Sequence, residues 1–477
     1  MQTEPTILSP ESETLRLGPA AKWMILLGLV LAAIGTAGSS LGWRVQYAPM
    51  LFFHAYLVAF VFYLTITLGS LFFVLLHHLS RAGWSVTLRR LAEALSGNML
   101  LMAILFVPLA FNLNAIYPWA ETSASRSLLP RGTNASQAAH EALDRSQNDR
   151  VLVPSGRSDL HEEHPAPAGH DVWLTPTNFI GRFVIYFVIW GFLAWYFRGH
   201  SILQDKTGNV RLSKSMERLS APGMILWAVT ITLAAVDLIM SLNPRWSSTM
   251  IGVYLFSDAV LSSLVVLALL ALWLQSCGLL RGVVTKEHYH DLGKLTFAFV
   301  FFWGYIAFSQ YMLIWYANMP EETQFYMARQ IGPWAEVSLA LIVVHFVLPF
   351  LGLMSRHAKR RLPLFAFWLG WLLAAHAFDL FWLIMPNTFV RQIGEPLPEA
   401  FKTILASPQS VYQLSQGSPW VDFVNAPLQP AAIAIVAGLL IAIGGLFVAN
   451  TAWLLRGAAL VPVKDPRLNE SLNFHNT

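Results

Sequence analysis

Ten apolar stretches, each long enough to cross a bilayer, alternate along this chain with short polar connections and two long ones. Their approximate bounds are 22–40, 50–78, 97–117, 178–198, 221–242, 247–276, 291–317, 333–355, 362–386 and 429–455. A helix rising about 1.5 Å per residue needs about 20 such residues to span the hydrocarbon, so each stretch predicts one transmembrane helix. The polar connections orient them. One side carries Arg16 and Lys22; Arg81, Arg89 and Arg90; Arg198, Lys206, Arg211, Lys214 and Arg218; Arg281 and Lys286; Arg356, Lys359, Arg360 and Arg361; Arg456, Lys464 and Arg467. The other carries only Arg44, Arg245, Arg329, Arg391 and Lys402. Nineteen against five predicts that both termini are cytoplasmic, because Lys and Arg accumulate on that side of short connections.

The expected fold is therefore an all-α polytopic membrane protein. A cytoplasmic tail (1–21) leads into a transmembrane region (22–455), and a second cytoplasmic tail (456–477) follows. Two long connections, 118–177 and 387–428, face outward. The first is polar and rich in Ser, Ala, Pro and His, either flexible or ordered by another subunit. The second carries Phe389, Phe401, Tyr412 and Trp420 among prolines, which predicts short packed elements. Inward loops are brief, so a large partner would sit on the outer face. Residues 83–95, GWSVTLRRLAEAL, read as a short amphipathic segment on the inner surface with Arg89 and Arg90 toward headgroups.

Composition agrees with that pattern and narrows the chemistry. Hydrophobic residues make up 55% and charged residues 12%, about half the charged share of a soluble domain, and 18 tryptophans suit headgroup-level belts. Glu4, Glu11 and Glu13 replace a basic leader region, so no cleaved signal peptide is expected. A single cysteine, Cys277, excludes an internal disulfide and a Cys-ligated iron–sulfur cluster, and there is no C-x-x-C-H haem attachment. Redox centres of those kinds would belong to partners. The net charge of +4 follows from topology and calls for no nucleic acid. His161-Glu162-Glu163-His164 spaces its histidines three apart rather than four and precedes Pro165, so it reads as a solvated loop rather than a zinc site.

Ionisable groups inside a bilayer are costly, and each is a functional candidate. Asp258 and His345 fall near the middle; Asp237, His376 and Asp379 in the outer half; Asp291 and Lys294 near the cytoplasmic surface. Helical spacing sorts them into stripes: Thr230, Asp237 and Ser241; Tyr254, Asp258 and Ser262; Tyr56, Tyr63, Thr67, Ser70 and His77; Lys294, Tyr305 and Ser309; and His376 with Asp379, three apart and able to touch. A transferred proton needs such groups at hydrogen-bond spacing. Asp237, Asp258, Asp291, Lys294, Tyr305, His345, His376 and Asp379 are the proton-path candidates. The plainer reading lets each polar group satisfy a neighbouring helix. His54, His77, His78, Arg182 and Glu336 lie near interfaces, where snorkelling explains them. No pair of histidines at matching depth supports a haem b, and no metal ligand set is expected.

Two stretches carry a family resemblance. Residues 220–256 read SAPGMILWAVTITLAAVDLIMSLNPRWSSTMIGVYLF and residues 290–323 read HDLGKLTFAFVFFWGYIAFSQYMLIWYANMPEET. With segment 83–95, they resemble the ActF membrane subunits of bacterial alternative complex III, a quinol:cytochrome c oxidoreductase, and cover about a quarter of the chain. The resemblance implies a distant NrfD/PsrC-like fold of two four-helix bundles plus two helices in a bacterial inner membrane. It implies an ActC-like quinol-site subunit, an iron–sulfur subunit and haem c subunits as partners, a haem-copper oxidase downstream, and quinol as the substrate of the whole complex. This chain would hold no redox centre, would not be catalytic alone, and would serve as scaffold and proton conduit. The family pattern commonly places an acidic residue and a histidine where this chain has Asn243 and Arg245, which removes a titratable role from that turn. Two alternatives stay open: a quinone-binding subunit using His376 and Asp379, and a stand-alone secondary transporter, whose inverted repeats the sequence does not show.

Overall fold

Long apolar segments become helices in a bilayer because every backbone N–H and C=O must find its partner without water. The computed structural model describes residues 15–40, 48–120, 170–244, 246–330, 333–388 and 430–475. Among these residues are ten helices long and apolar enough to cross a membrane, and no strand. The chain is an all-α polytopic membrane protein. Most of both long connections, together with His161–His164 and Arg44, Arg245, Arg391 and Lys402, lies outside the described residues.

The α-helices of five or more residues are α1 (Ala20–Ser40), α2 (Ala48–Leu79), α3 (Val86–Ser96), α4 (Met99–Phe111), α5 (Pro176–Thr207), α6 (Arg211–Leu238), α7 (Ile251–Ser276), α8 (Lys286–Ala317), α9 (Pro320–Met327), α10 (Pro333–Leu341), α11 (Leu348–Met354), α12 (Arg356–Arg360), α13 (Leu362–Ile384), α14 (Pro430–Arg456) and α15 (Leu468–Leu472). The third span is α3 continued by α4, and the eighth is α10 joined to α11 by a π-helical turn, Ile342–Val347. Helices α2, α4, α5 and α6 pack round one another, as do α7, α8, α10–α11 and α13. Helix α1 lies along α14, which packs on α2.

Helix α2 is the axis. In its apolar window 89% of residues are buried, against 22% for α1, and it touches α3, α4, α6, α7, α13 and α14. Its contact with α7 is close because position 69 is glycine: a Cβ there would overlap the Ala259 carbonyl. The α1–α14 pair is equally tight, since a Cβ on Gly445 would overlap the Gly28 carbonyl. Small residues that let backbones meet supply the packing that hydrophobicity cannot supply inside lipid.

The basic side corrects one expectation. Segment 83–95 does not lie on the surface with its arginines toward headgroups. Every residue of α3 is buried, and Arg89 and Arg90 are each 1% exposed. Arg89 pairs with Glu93 at 3.1 Å and with Asp465 at 2.7 Å, while Arg90 pairs with Glu93 at 3.1 Å and Asp205 at 2.6 Å. The amphipathic pattern was real, but the polar face meets α5 and the C-terminal tail. That tail is docked: Leu460 and Val461 are fully buried, and Ser471 donates to the Trp84 carbonyl at 2.6 Å.

Overpacking a close helix crossing costs about 1–3 kcal/mol. Gly445→Leu should lower the thermal midpoint of the purified protein by several degrees, whereas Gly370→Ala, where an added Cβ meets nothing within 4 Å, should leave it unchanged. Thermal unfolding in detergent, followed by tryptophan fluorescence, reads both.

Candidate functional site: a buried carboxylate and histidine cluster

Three of the expected residues converge where the two bundles meet. Tyr254 and Asp258 stand one turn apart on α7, and His376 and Asp379 stand three residues apart on α13. Asp258, Asp379 and Tyr254 are between 0% and 3% exposed, and His376 is 1% exposed. One ligand atom each from Asp258, His376 and Asp379 lies within 4.8 Å of the other two. Helix α2 closes the cluster with Thr65, whose Oγ1 is 2.9 Å from His376 Nε2, and with Phe62, whose ring stacks on the imidazole at 5.1 Å.

Hydrogen bonding sets the direction of each group. The Thr65 hydroxyl spends its one proton on the Phe62 carbonyl at 2.8 Å. Its oxygen must therefore accept from His376, which places the imidazole proton on Nε2. Nδ1 is left as a bare acceptor, 3.7 Å from Asp258 Oδ1. On the far side, the Tyr254 hydroxyl donates to Asp379 Oδ1 at 2.5 Å. What remains is unusual for a protein interior. Both oxygens of Asp258, Oδ2 of Asp379 and Nδ1 of His376 make no hydrogen bond among the described residues. Four polar atoms face one another at separations a small side-chain rotation can close.

His345 stands beside this cluster rather than in it. It is fully buried on the π-helical turn, edge-on to Trp303 at 3.9 Å, and neither ring nitrogen has a hydrogen-bond partner among the described residues. Trp303 also meets the Tyr254 ring at 5.9 Å, so one indole touches both this histidine and the tyrosine of the cluster. The π turn forms next to Pro349, which has no N–H, and Trp371 donates to the Val344 carbonyl at 2.8 Å. Such turns recur at functional positions in helices.

The other candidates fall elsewhere. Asp237 is fully matched. Arg182 grips it with Nε at 2.9 Å and Nη2 at 2.7 Å, Trp173 donates at 3.1 Å, and Tyr186 donates at 3.0 Å. Arg182 is thus an ion-pair partner rather than a snorkelling side chain. Asp291 pairs with Lys294 at the basic mouth of α8. Tyr305 points away from the bundle and is 58% exposed, on the same outward face as Phe301 and Phe308. The stripe Lys294–Tyr305 is real as spacing but faces outward, because α8 buries the opposite face through His290, Thr296, Trp303 and Gln310. The α2 stripe is packing: Tyr56 donates to the Leu105 carbonyl, Tyr63 to Leu440, Thr67 to Tyr63 and Ser70 to Ile66.

Thr65, Phe62 and Trp303 are site residues that the sequence reading passed over. Thr65 lies two residues from Thr67, on another face of the same helix, and only the position of α13 tells the two apart.

Asp258, His376 and Asp379 are also the residues whose donor atoms could hold a metal ion. The same atoms can pass a proton: a proton on Asp258 has a bare imidazole nitrogen on one side and a free carboxyl oxygen on the other. Fold and site together define a multi-pass membrane protein with an unmatched titratable cluster at its centre. No protein-family model and no curated protein sequence matches the chain.

Matched and unmatched carboxylates should respond differently to substitution. Removing one partner of a buried ion pair costs about 3–5 kcal/mol, so Asp237→Ala should sharply lower stability. Tyr254→Phe leaves Asp379 short of its donor and should cost about 1–3 kcal/mol. Asp258→Asn keeps a polar side chain of the same shape facing Asp379 and should stay within about 1 kcal/mol of wild type. Denaturation of the three variants in one detergent ranks them.

Proposed function

We propose that this chain is an integral subunit of a quinol:cytochrome c oxidoreductase of the alternative complex III kind in a bacterial inner membrane. It serves as scaffold and as part of a transmembrane proton path. The observation that carries the reading is the unmatched cluster of Asp258, His376 and Asp379, buried between two bundles.

In this reading the relay runs through Tyr254, Asp379, Asp258 and His376. Buried polar groups without partners are kept in membranes where something passes between them. His376 Nδ1 receives the proton, Asp258 hands it over, and Thr65 holds the ring so that Nδ1 faces the carboxyl. Tyr254 fixes Asp379 with its free oxygen toward Asp258. Asp237, Asp291, Lys294 and Tyr305 support the helices around the path rather than forming it, and His345 borders it across Trp303.

Electron transfer would belong to the partners: an ActC-like quinol-site subunit, an iron–sulfur subunit and haem c subunits, with a haem-copper oxidase downstream. The lone cysteine at position 277 is consistent with that division. The near-complete burial of His376 and Asp379 argues against a quinone ring resting on them, since it would have to part α2, α7 and α13.

In the purified complex, reconstituted in vesicles, Asp258→Asn should abolish proton translocation coupled to quinol oxidation while leaving the oxidation rate within about twofold. Asp237→Asn should lower the yield of complex without changing protons moved per electron. Unaltered stoichiometry in Asp258→Asn would leave only the scaffold role. Purification of the tagged chain free of haem c absorbance would favour a stand-alone transporter.

A further inference from the structure

A second group of buried, unpartnered polar atoms lies at the basic end of the molecule, away from the central cluster. The last turn of α2, the first turns of α6 and α3, and the C-terminal tail enclose a polar cleft of about 400 Å³. That is ample for a small ligand. His77, His78, Arg89, Lys214 and Arg467 line it, with Arg81 at its rim. We propose that this cleft binds a phosphoryl anion.

A deep guanidinium nitrogen and a deep imidazole nitrogen have no partner among the described residues. Arg89, 1% exposed, uses Nε on Glu93 and Nη1 on Asp465 and on His77 Nε2 at 3.2 Å, but its Nη2 has no hydrogen-bond partner. His78, 4% exposed, is held by ring contacts with Phe197 at 5.3 Å and His77 at 5.2 Å, and its Nε2 has none either. His77 cannot fill the gap, since its Nδ1 is already 2.7 Å from Ser85 Oγ. Both atoms are enclosed and reach the cleft by a side-chain rotation, and an oxyanion with several acceptor lone pairs is the group that satisfies a guanidinium fork and an imidazole together.

The charges around the cleft point the same way. Three carboxylates line it, and two are already committed. Asp465 pairs with Arg89, while Glu217 sits between Arg81 at 3.3 Å and Arg467 at 3.6 Å. Glu470 rests against Gly83, where a Cβ would displace it. Lys214 is exposed and makes no ion pair among the described residues. Four cationic side chains thus face three carboxylates. The cleft opens where α2 leaves its apolar span, at headgroup level, and basic pockets between helix ends at that level recognise lipid phosphates. A free phosphate would meet the same donors.

The test uses the full chain in nanodiscs and separates the two sources. In one arm, phosphatidylcholine nanodiscs are titrated with inorganic phosphate at constant ionic strength. In the other, the phosphatidylcholine is replaced stepwise by phosphatidylglycerol. The thermal midpoint should rise saturably in one arm, which identifies the source as free anion or lipid. Lys214→Gln combined with Arg467→Gln should weaken that response at least fivefold. Lys214→Gln alone, a change at an exposed side chain, should weaken it about twofold and serves if the double variant does not fold. A flat midpoint in both arms for the wild type, or equal responses in wild type and Lys214→Gln, overturns the proposal.

Discussion

Burying a charge away from water is the expense around which this chain is built, and it is met differently at three depths. Near the basic side, Arg89, Arg90, Glu93, Asp205 and Asp465 form a network of opposite charges. Near the opposite side, Asp237 is enclosed by Arg182, Trp173 and Tyr186. Also at that end, Arg329 caps α13 by donating to the Trp382 and Leu383 carbonyls at 3.2 Å and 2.8 Å, with its guanidinium 3.6 Å over Phe325. Carbonyls at a helix C-terminus carry partial negative charge, so a cation there needs no carboxylate. Between these two arginine-anchored layers, Asp258 and Asp379 make no ion pair with an arginine or lysine among the described residues; the only basic group facing Asp258 is His376 at 3.7 Å. The contrast separates groups that hold the fold from groups free to change partners.

That freedom is confined to side chains. Helices α2, α7 and α13 converge on the cluster, and each is fixed by contacts outside it. The α2–α14 contact includes Tyr63, which donates to the Leu440 carbonyl at 2.9 Å, and Trp227 of α6 donates to the Leu68 carbonyl at 3.1 Å. Backbones tied in this way resist helix displacement, whereas a rotation about one carboxyl bond meets little resistance. Aromatic packing by Phe62, Trp303 and Tyr254 keeps the surroundings apolar, so a carboxyl or imidazole here takes its partners from within the cluster.

Much of the fold could be read from the sequence because bilayer-length segments state helix number directly. Ten spans were expected and ten are present among the described residues. The candidate site was legible only along each helix. Spacing joined Tyr254 to Asp258 and His376 to Asp379, but it could not tell that these two pairs face each other. The same limit misplaced Tyr305, whose three-turn register with Lys294 says nothing about which face meets a neighbour. It also misread Arg89 and Arg90, because a polar helix face looks alike whether headgroups or a buried acidic partner lies opposite. Asp237 and Asp258 differ in the sequence only by depth, and it is the arrival of Arg182 from another helix that makes one structural. Long-range pairing is three-dimensional information, and the period of a single helix does not contain it.

One glycine joins packing to chemistry. Gly69 lets α2 press against the Ala259 carbonyl of α7. Thr65 lies one turn before Gly69, and Asp258 is the residue before Ala259. The separation between the threonine that orients His376 and the carboxyl facing that imidazole is therefore set by the closest backbone approach between the two helices. An added methyl at position 69 would push α2 from α7, and a shift of about 1 Å is comparable to the whole difference between 3.7 Å and a hydrogen bond. Thr65, Gly69 and the Asp258–Ala259 pair thus form one unit, in which a residue with no side chain sets how closely the threonine that orients His376 approaches the helix that carries Asp258.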